Sequence, residues 1–248
     1  MNALRAELLK VVTTRLLLWY GGGLLAFLVL VLSIHIGSDS RQDLTELSTQ
    51  RSIFEPSGLA AVVAVLLGVV AATNEYAHGT INQSFLAVPV RERLLAAKLG
   101  AALLVVLVLA ILADAATFVI VELWYRGRGL TLHLDSGTLR PLLGAIGASV
   151  LAGAIGVGVG AVLRRQTAAI VAVLLWLLIG EAVIGGIGSG SRYAPGHALG
   201  AIVAAHSVGS RDSLAVWPAT LTALVYVILF CAVGFFATLG SDVPSGGD

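Results

Sequence analysis

Apolar residues come in continuous blocks along this chain, not at the alternate positions of a half-buried strand nor on the single stripe of a soluble amphipathic helix. A helix that crosses the hydrocarbon of a bilayer needs roughly 20 mainly apolar residues. Six blocks reach or approach that length: Leu16–Ile36, Ser57–Thr73, Leu99–Val121, Pro141–Leu163, Thr167–Ile187 and Leu214–Leu239. The second is short for a span and must begin earlier or tilt less than its neighbours. Unbroken runs suit helices, which satisfy their own backbone groups when lipid surrounds them. The pattern predicts an all-α polytopic membrane protein with six transmembrane helices, built as a single membrane domain over residues 1–248.

Composition supports that expectation and narrows the function. Hydrophobic residues make up 58% of the 248 and charged ones 12%, whereas a soluble domain carries about 25% charged residues. A net charge of +1 supplies no clustered basic face, so no nucleic-acid partner is expected. Cys231 is the one cysteine and falls inside an apolar block. It reads as a packing residue, with no disulfide framework and no CxxC metal pair.

Ahead of the first block, "MNALRAELLKVVTTR" carries Arg5, Lys10 and Arg15 and puts Leu4, Leu8, Val11 and Val12 on one helical face. Residues 1–15 are therefore expected to form an amphipathic helix on the membrane surface. The apolar run that follows exceeds the 7–15 residues typical of a signal peptide and lacks a small-residue cleavage site, which argues against cleavage. With the N-terminus inside, eight lysines and arginines fall in cytoplasmic segments and seven outside. Arg164 and Arg165 decide the orientation, because they fill a turn of a few residues, where positive charge acts most strongly. Both termini are expected in the cytoplasm, with the chain in the plasma membrane among its lipids. The last outer segment, residues 188–213, holds an apolar run, "ALGAIVAA", too short to span. It predicts either a re-entrant or interfacial helix or a loop packed on the helix ends.

Between the second and third blocks lies a segment that a simple turn could replace, "NEYAHGTINQSFLAVPVRERLLAAKL" over residues 74–99. Asn74 or Thr73 can cap a helix with Glu75 in its first turn, Gly79 can loosen it, and Pro89 breaks it before a fresh helix runs into the third span. The result is a cytoplasmic elbow over residues 74–98. Phe85, Leu86 and Val88 form an apolar knuckle beside Arg91, Glu92 and Arg93, a shape suited to a groove on a cytoplasmic partner. An elbow that only anchors the third span to lipid headgroups is the plainer alternative.

"EYAHGT", then "FLAVP", then "RERLLAAK" resembles the cytoplasmic signature of the ABC-2 type permeases, the membrane subunits of ABC exporters. The six-span layout, basic N-terminal helix and long last outer loop are similar too. The resemblance implies that Glu75, Gly79, Thr80, Pro89, Arg93 and Lys98 belong to a coupling element seated on a separate ATPase subunit, with Phe85 and Arg91 on the same elbow. It implies two ATPase subunits carrying ATP and magnesium, and a second permease protomer, identical or related. Closure of the ATPases would push the elbow and tilt spans two and three. Ala77 and Asn82 depart from the commoner pattern, which has a basic residue there. The resemblance says nothing about cargo.

The chain has no G-x-x-x-x-G-K-[ST] phosphate cradle of its own. Neither "GAIGVGVGAV" nor "GEAVIGGIGSGSR" has a lysine after its glycines, so no nucleotide cofactor is expected on it. An enzyme is not expected either. His197 and His206 approach Ser189 and Ser191 in sequence, but no serine sits in a nucleophile elbow and no histidines have metal-ligand spacing. Two acids fall inside the spans. Asp114 and Glu181 are each either a cargo or proton site or a polar group hydrogen-bonded across a helix interface. Ala152, Gly156 and Gly160 give the fourth span a small-residue ridge for close packing within the bundle. Trp19, Tyr20, Trp124, Tyr125, Trp217 and Tyr226 lie near span ends, as an aromatic belt would. The alternatives to an exporter subunit are a stand-alone transporter or channel using Asp114 or Glu181, and a membrane subunit that recruits or senses. No inverted repeat favours the former.

Overall fold

Every described element is helical, as unbroken apolar runs in lipid require. The computed structural model describes residues 3–13, 16–80, 91–186, 188–204 and 214–239. The chain forms α1 (Ala3–Thr13), α2 (Leu16–Ser38), α3 (Leu47–Ser52), α4 (Ala60–Ala77), α5 (Arg91–Gly127) and α6 (Ser136–Leu163). It continues with α7 (Gln166–Leu175), a π-helical turn (Trp176–Gly180), α8 (Glu181–Gly185), α9 (Pro195–Val203) and α10 (Val216–Leu239). Six stretches are long and apolar enough to cross a membrane: Leu18–Ser38, Leu47–Ala77, Arg93–Gly127, Ser136–Leu163, Gln166–Gly185 and Val216–Ala237. This is a multi-pass membrane protein.

All six expected blocks hold a spanning helix, with two differences in length. The second, too short in sequence, begins earlier: α3 and a 3-10 turn at Glu55–Leu59 lead into α4, making a 31-residue stretch. The third is longer, since α5 runs for 37 residues from Arg91.

At the centre stands α6, which packs on α4, α5, α9 and α10. Its glycines explain why. Gly156 abuts the backbone of Val65, Gly68 the backbone of Gly153 and Val157, and Gly160 the carbonyl of Val69 and the Cβ of Ala72. Residue numbers rise together along this seam, so α4 and α6 run parallel with their backbones nearly touching. On another side Gly158 meets the backbone of Phe230 and Cys231, and Gly234 meets Ala161. The predicted ridge therefore packs within one bundle.

One end of the bundle carries α1, the C-terminal end of α4, the start of α5 and the Arg164–Arg165 turn; we call it the α1 face. The opposite, loop face is an ordered cap. Tyr125 donates a hydrogen bond to the Leu44 carbonyl (3.1 Å), as does the Gln50 amide (3.1 Å), and Gln50 accepts from His133 N–H. Tyr125 is 1% exposed, so it is a core residue of this cap and not a belt anchor. Trp19 and Trp217 do face outwards, as belt residues would. Asp135 caps α6 in a capping box with Thr138 and pairs with Arg51 at 2.5 Å. The short apolar run of the last loop is α9, with Ala198, Ala201, Ile202 and Val203 buried. It packs on α6, where Gly144 meets the Ile202 carbonyl, and on Gly58 through Val203. Residues 205–213 lie outside the described residues.

Candidate functional site

On the α1 face, four charged side chains from three elements meet. Glu7 of α1 takes Lys10 at 2.7 Å and Lys98 at 3.0 Å; Glu75 of α4 takes Lys10 at 2.6 Å and stands 3.3 Å from Lys98 of α5. Each lysine thus touches both carboxylates, and the quartet is neutral. Glu7, Glu75 and Lys98 are buried, while Lys10 keeps its ammonium half in solvent. Burial alone would lower the Lys10 pKa, but the hydrogen bonds and charges of Glu7 and Glu75 outweigh it and raise the value above that of free lysine. A buried carboxylate without cations is strongly disfavoured. At the C-terminal end of α4 the helix dipole adds to that penalty. The two lysines offset both.

The local sequence builds this arrangement in a way that differs from expectation. Thr73, Asn74 and Glu75 do not open a helix; they lie in the last turns of α4, which runs on to Ala77. Thr73 is occupied with its own helix, donating to the Val69 carbonyl. Gly79 does not loosen a helix but ends one. It adopts φ 67°, its N–H reaches the Tyr76 carbonyl, and the Thr80 N–H reaches the Glu75 carbonyl. That is a Schellman stop, which favours glycine at the left-handed position. The Gly79-Thr80 pair thereby fixes where the chain leaves α4, one turn beyond Glu75.

Of the predicted elbow residues, then, Glu75 and Lys98 come together, Gly79 and Thr80 form the helix stop, and Arg93 is exposed near the start of α5. Arg91 is the first residue of α5. Phe85 and Pro89, with the rest of residues 81–90, lie outside the described residues. Reading the sequence missed Glu7 and gave Lys10 only a place among the basic residues of the surface helix. The signal was present: Glu7 is three residues after Leu4 and four before Val11, so it interrupts the apolar stripe where helical neighbours meet. Leu4 is 38% exposed while Glu7 is 4% exposed. The acid, not the leucine, points inwards.

Asp114 is buried within α5, and neither carboxylate oxygen has a hydrogen-bond partner among the described residues. The Ser57 hydroxyl, from the 3-10 turn before α4, is its polar neighbour, and the buried hydroxyls of Thr117 and Ser149 have no hydrogen-bond partner among the described residues. Glu181 is different. Its carboxylate accepts from Trp176 Nε1 at 2.7 Å, Gly196 N–H at 2.8 Å and His197 N–H at 3.2 Å, and meets His197 Nδ1 at 2.6 Å. It caps the first turn of α9, where backbone N–H groups lack intrahelical partners. The π turn makes this possible, because i to i+5 spacing carries Trp176 alongside Glu181.

A third feature is a cavity of about 750 Å³ between α4, α6, α7, α9 and α10, lined almost wholly by apolar side chains. Among the described residues no three His, Cys, Asp or Glu side chains converge as metal ligands. No protein-family model matches the chain, and no curated protein matches it in sequence.

Proposed function

We propose that this chain is the permease subunit of an ATP-driven exporter of the ABC-2 type, with the α1 face towards the cytoplasm of a plasma-membrane protein. In this reading α1 lies at the membrane surface, residues 74–98 form the coupling elbow, and a separate ATPase bearing ATP and magnesium docks there. A second permease protomer completes the translocation path. The observation that carries the reading is the neutral charge quartet. Two elbow residues singled out by the resemblance, Glu75 and Lys98, close on each other and on α1. Force applied at the elbow would thereby reach α1 and two spans as one body, where a flexible loop would absorb it. The chain itself performs no hydrolysis.

The test is purification of the tagged chain in mild detergent, with mass spectrometry of what accompanies it. An ABC ATPase should accompany the wild type and be lost with Arg93→Glu, since that exposed cation sits where the partner would dock. An intact, folded chain without an ATPase in either sample would overturn the reading. It would favour instead a stand-alone transporter with Asp114 as ion or proton carrier, the reading supported by that carboxylate's burial within a span.

A further inference from the structure

Three spans bring hydroxyl groups to the surroundings of Asp114. The Ser57 side chain, just before α4, adjoins its carboxylate, and Thr117 follows it by three residues, on the same face of α5. Ser149 comes from α6. On that helix Gly153 faces α5, with a Cβ position 3.0 Å from Val106, and Gly156 faces the Val65 backbone of α4. At about 100° per residue, Ser149 falls between those two directions and looks into the crevice between α4 and α5. Because α5 and α6 are consecutive antiparallel spans, the contact of Val106 with Gly153 puts Asp114 about one turn from Ser149 along the crevice. Side chains lean towards the N-terminus of their own helix, which in an antiparallel pair carries Asp114 and Ser149 towards each other.

Asp114 is 6% exposed, and Ser57, Thr117 and Ser149 are fully buried. None of the ion pairs among the described residues includes Asp114. Thr73, Thr220 and Thr222 each donate to the carbonyl four residues back at 2.8 Å, the usual resort of a hydroxyl in an apolar helix. Thr117 does not, and neither it nor Ser149 has a hydrogen-bond partner among the described residues. A buried carboxylate without a cation is strongly disfavoured, and buried hydroxyls left unpaired add to the cost. We infer that Asp114, Ser57, Thr117 and Ser149 form a binding site for one sodium ion. One negative charge matches a monovalent cation, whereas a divalent ion would leave a net positive charge within the membrane. Carboxylate and hydroxyl oxygens are hard ligands, as such ions require. Oxygens about 2.4 Å from one ion stand roughly 3.4 Å or more apart, at or beyond the limit for bonding to each other, which is the pattern of Thr117 and Ser149. A proton on Asp114 would remove the charge but supply a single donor, leaving the other hydroxyls as they are. The site needs no ATPase partner and stands or falls apart from the exporter reading.

The test melts the purified full-length chain, in nanodiscs, in sodium, potassium or choline chloride at matched ionic strength and at alkaline pH, where protons compete least. A ligand that binds only the folded state raises the melting temperature with its concentration. Sodium should do so saturably, and potassium and choline should not. Asp114→Asn should abolish the response. Ser149→Ala, which removes one ligand and keeps the charge, should move the midpoint several-fold to higher sodium, and it carries the test should the first variant misfold. Glu46→Gln, exposed on the loop face, should leave the response as it is. Equal responses to the three salts, a general ionic effect, would overturn the proposal. So would a sodium response unchanged by Asp114→Asn or by Ser149→Ala, or melting that follows pH alone with no response to sodium, the behaviour of a protonated Asp114.

Discussion

At the scale of residues, the quartet works as a unit, and its members should not contribute additively. Removing Lys98 leaves Glu7 and Glu75 sharing Lys10, which is itself half in water. Breaking a buried ion pair from one side costs about 3–5 kcal/mol, and Lys98→Met should destabilise the chain by that order. Glu7→Gln with Lys98→Met leaves a neutral Lys10–Glu75 pair, so the double variant should lose less than the two singles together. Thermal unfolding in detergent, run as a double-mutant cycle, reads this coupling; simple additivity would mean that the four charges act independently. On the loop face the arithmetic of charge is one of pH. The Arg51 guanidinium, then the Thr138 N–H, hold the Asp135 carboxyl down at about 2, below its unfolded value of about 3.9. The stability it lends is therefore complete above about pH 4 and lost as pH falls towards 2. Unfolding measured across that window should show a pH-dependent loss that Asp135→Asn reduces. An unchanged slope in the variant would contradict the pairing.

At the scale of elements, glycine decides which helices touch. A Cβ at Gly156 would overlap the Val65 carbonyl oxygen, a backbone atom that cannot swing aside. Overpacking a core costs about 1–3 kcal/mol even when side chains can adjust. Gly156→Leu should exceed that and lower the melting temperature sharply. Gly147, on the same helix, has open space around its Cβ position; Gly147→Ala should be neutral or stabilise by about 0.4–1 kcal/mol. Equal melting temperatures for the two variants would contradict the close α4–α6 seam. The existence and order of these helices were legible in the sequence, because twenty apolar residues in a row allow one structure in lipid. Their ends were less so. Thr73, Asn74 and Glu75 read as a helix start because capping residue types also occur in last turns, and the Schellman hydrogen bonds of Gly79 and Thr80 place them at a helix end instead. The capping of α9 by Glu181 and the burial of Tyr125 were hidden for another reason: each depends on a partner distant in sequence, Gly196 in one case and Leu44 in the other.

At the scale of the whole molecule, the two faces differ in kind. The loop face is tied together by hydrogen bonds among its own connections and by α9 under Glu181. The α1 face instead ends in a neutral lock joining α1 to two spans, beside an exposed Arg93. The proposed coupling to an ATPase would use that combination of a rigid base and accessible charge. Part of it was visible beforehand, since Glu75, Lys98 and Arg93 stand out as charges beside apolar spans. The role of Glu7 was not, because a charge inside an amphipathic stripe shows its partner only once the helix is docked. The central claim is that an ATPase binds the α1 face. Its most direct test places a photo-crosslinking amino acid at Arg93 on that face, and separately at Tyr193 on the loop face, in cells making the full chain. The account predicts an adduct with a nucleotide-binding ATPase from position 93 and none from 193. No ATPase adduct from 93, or one from 193, would contradict it.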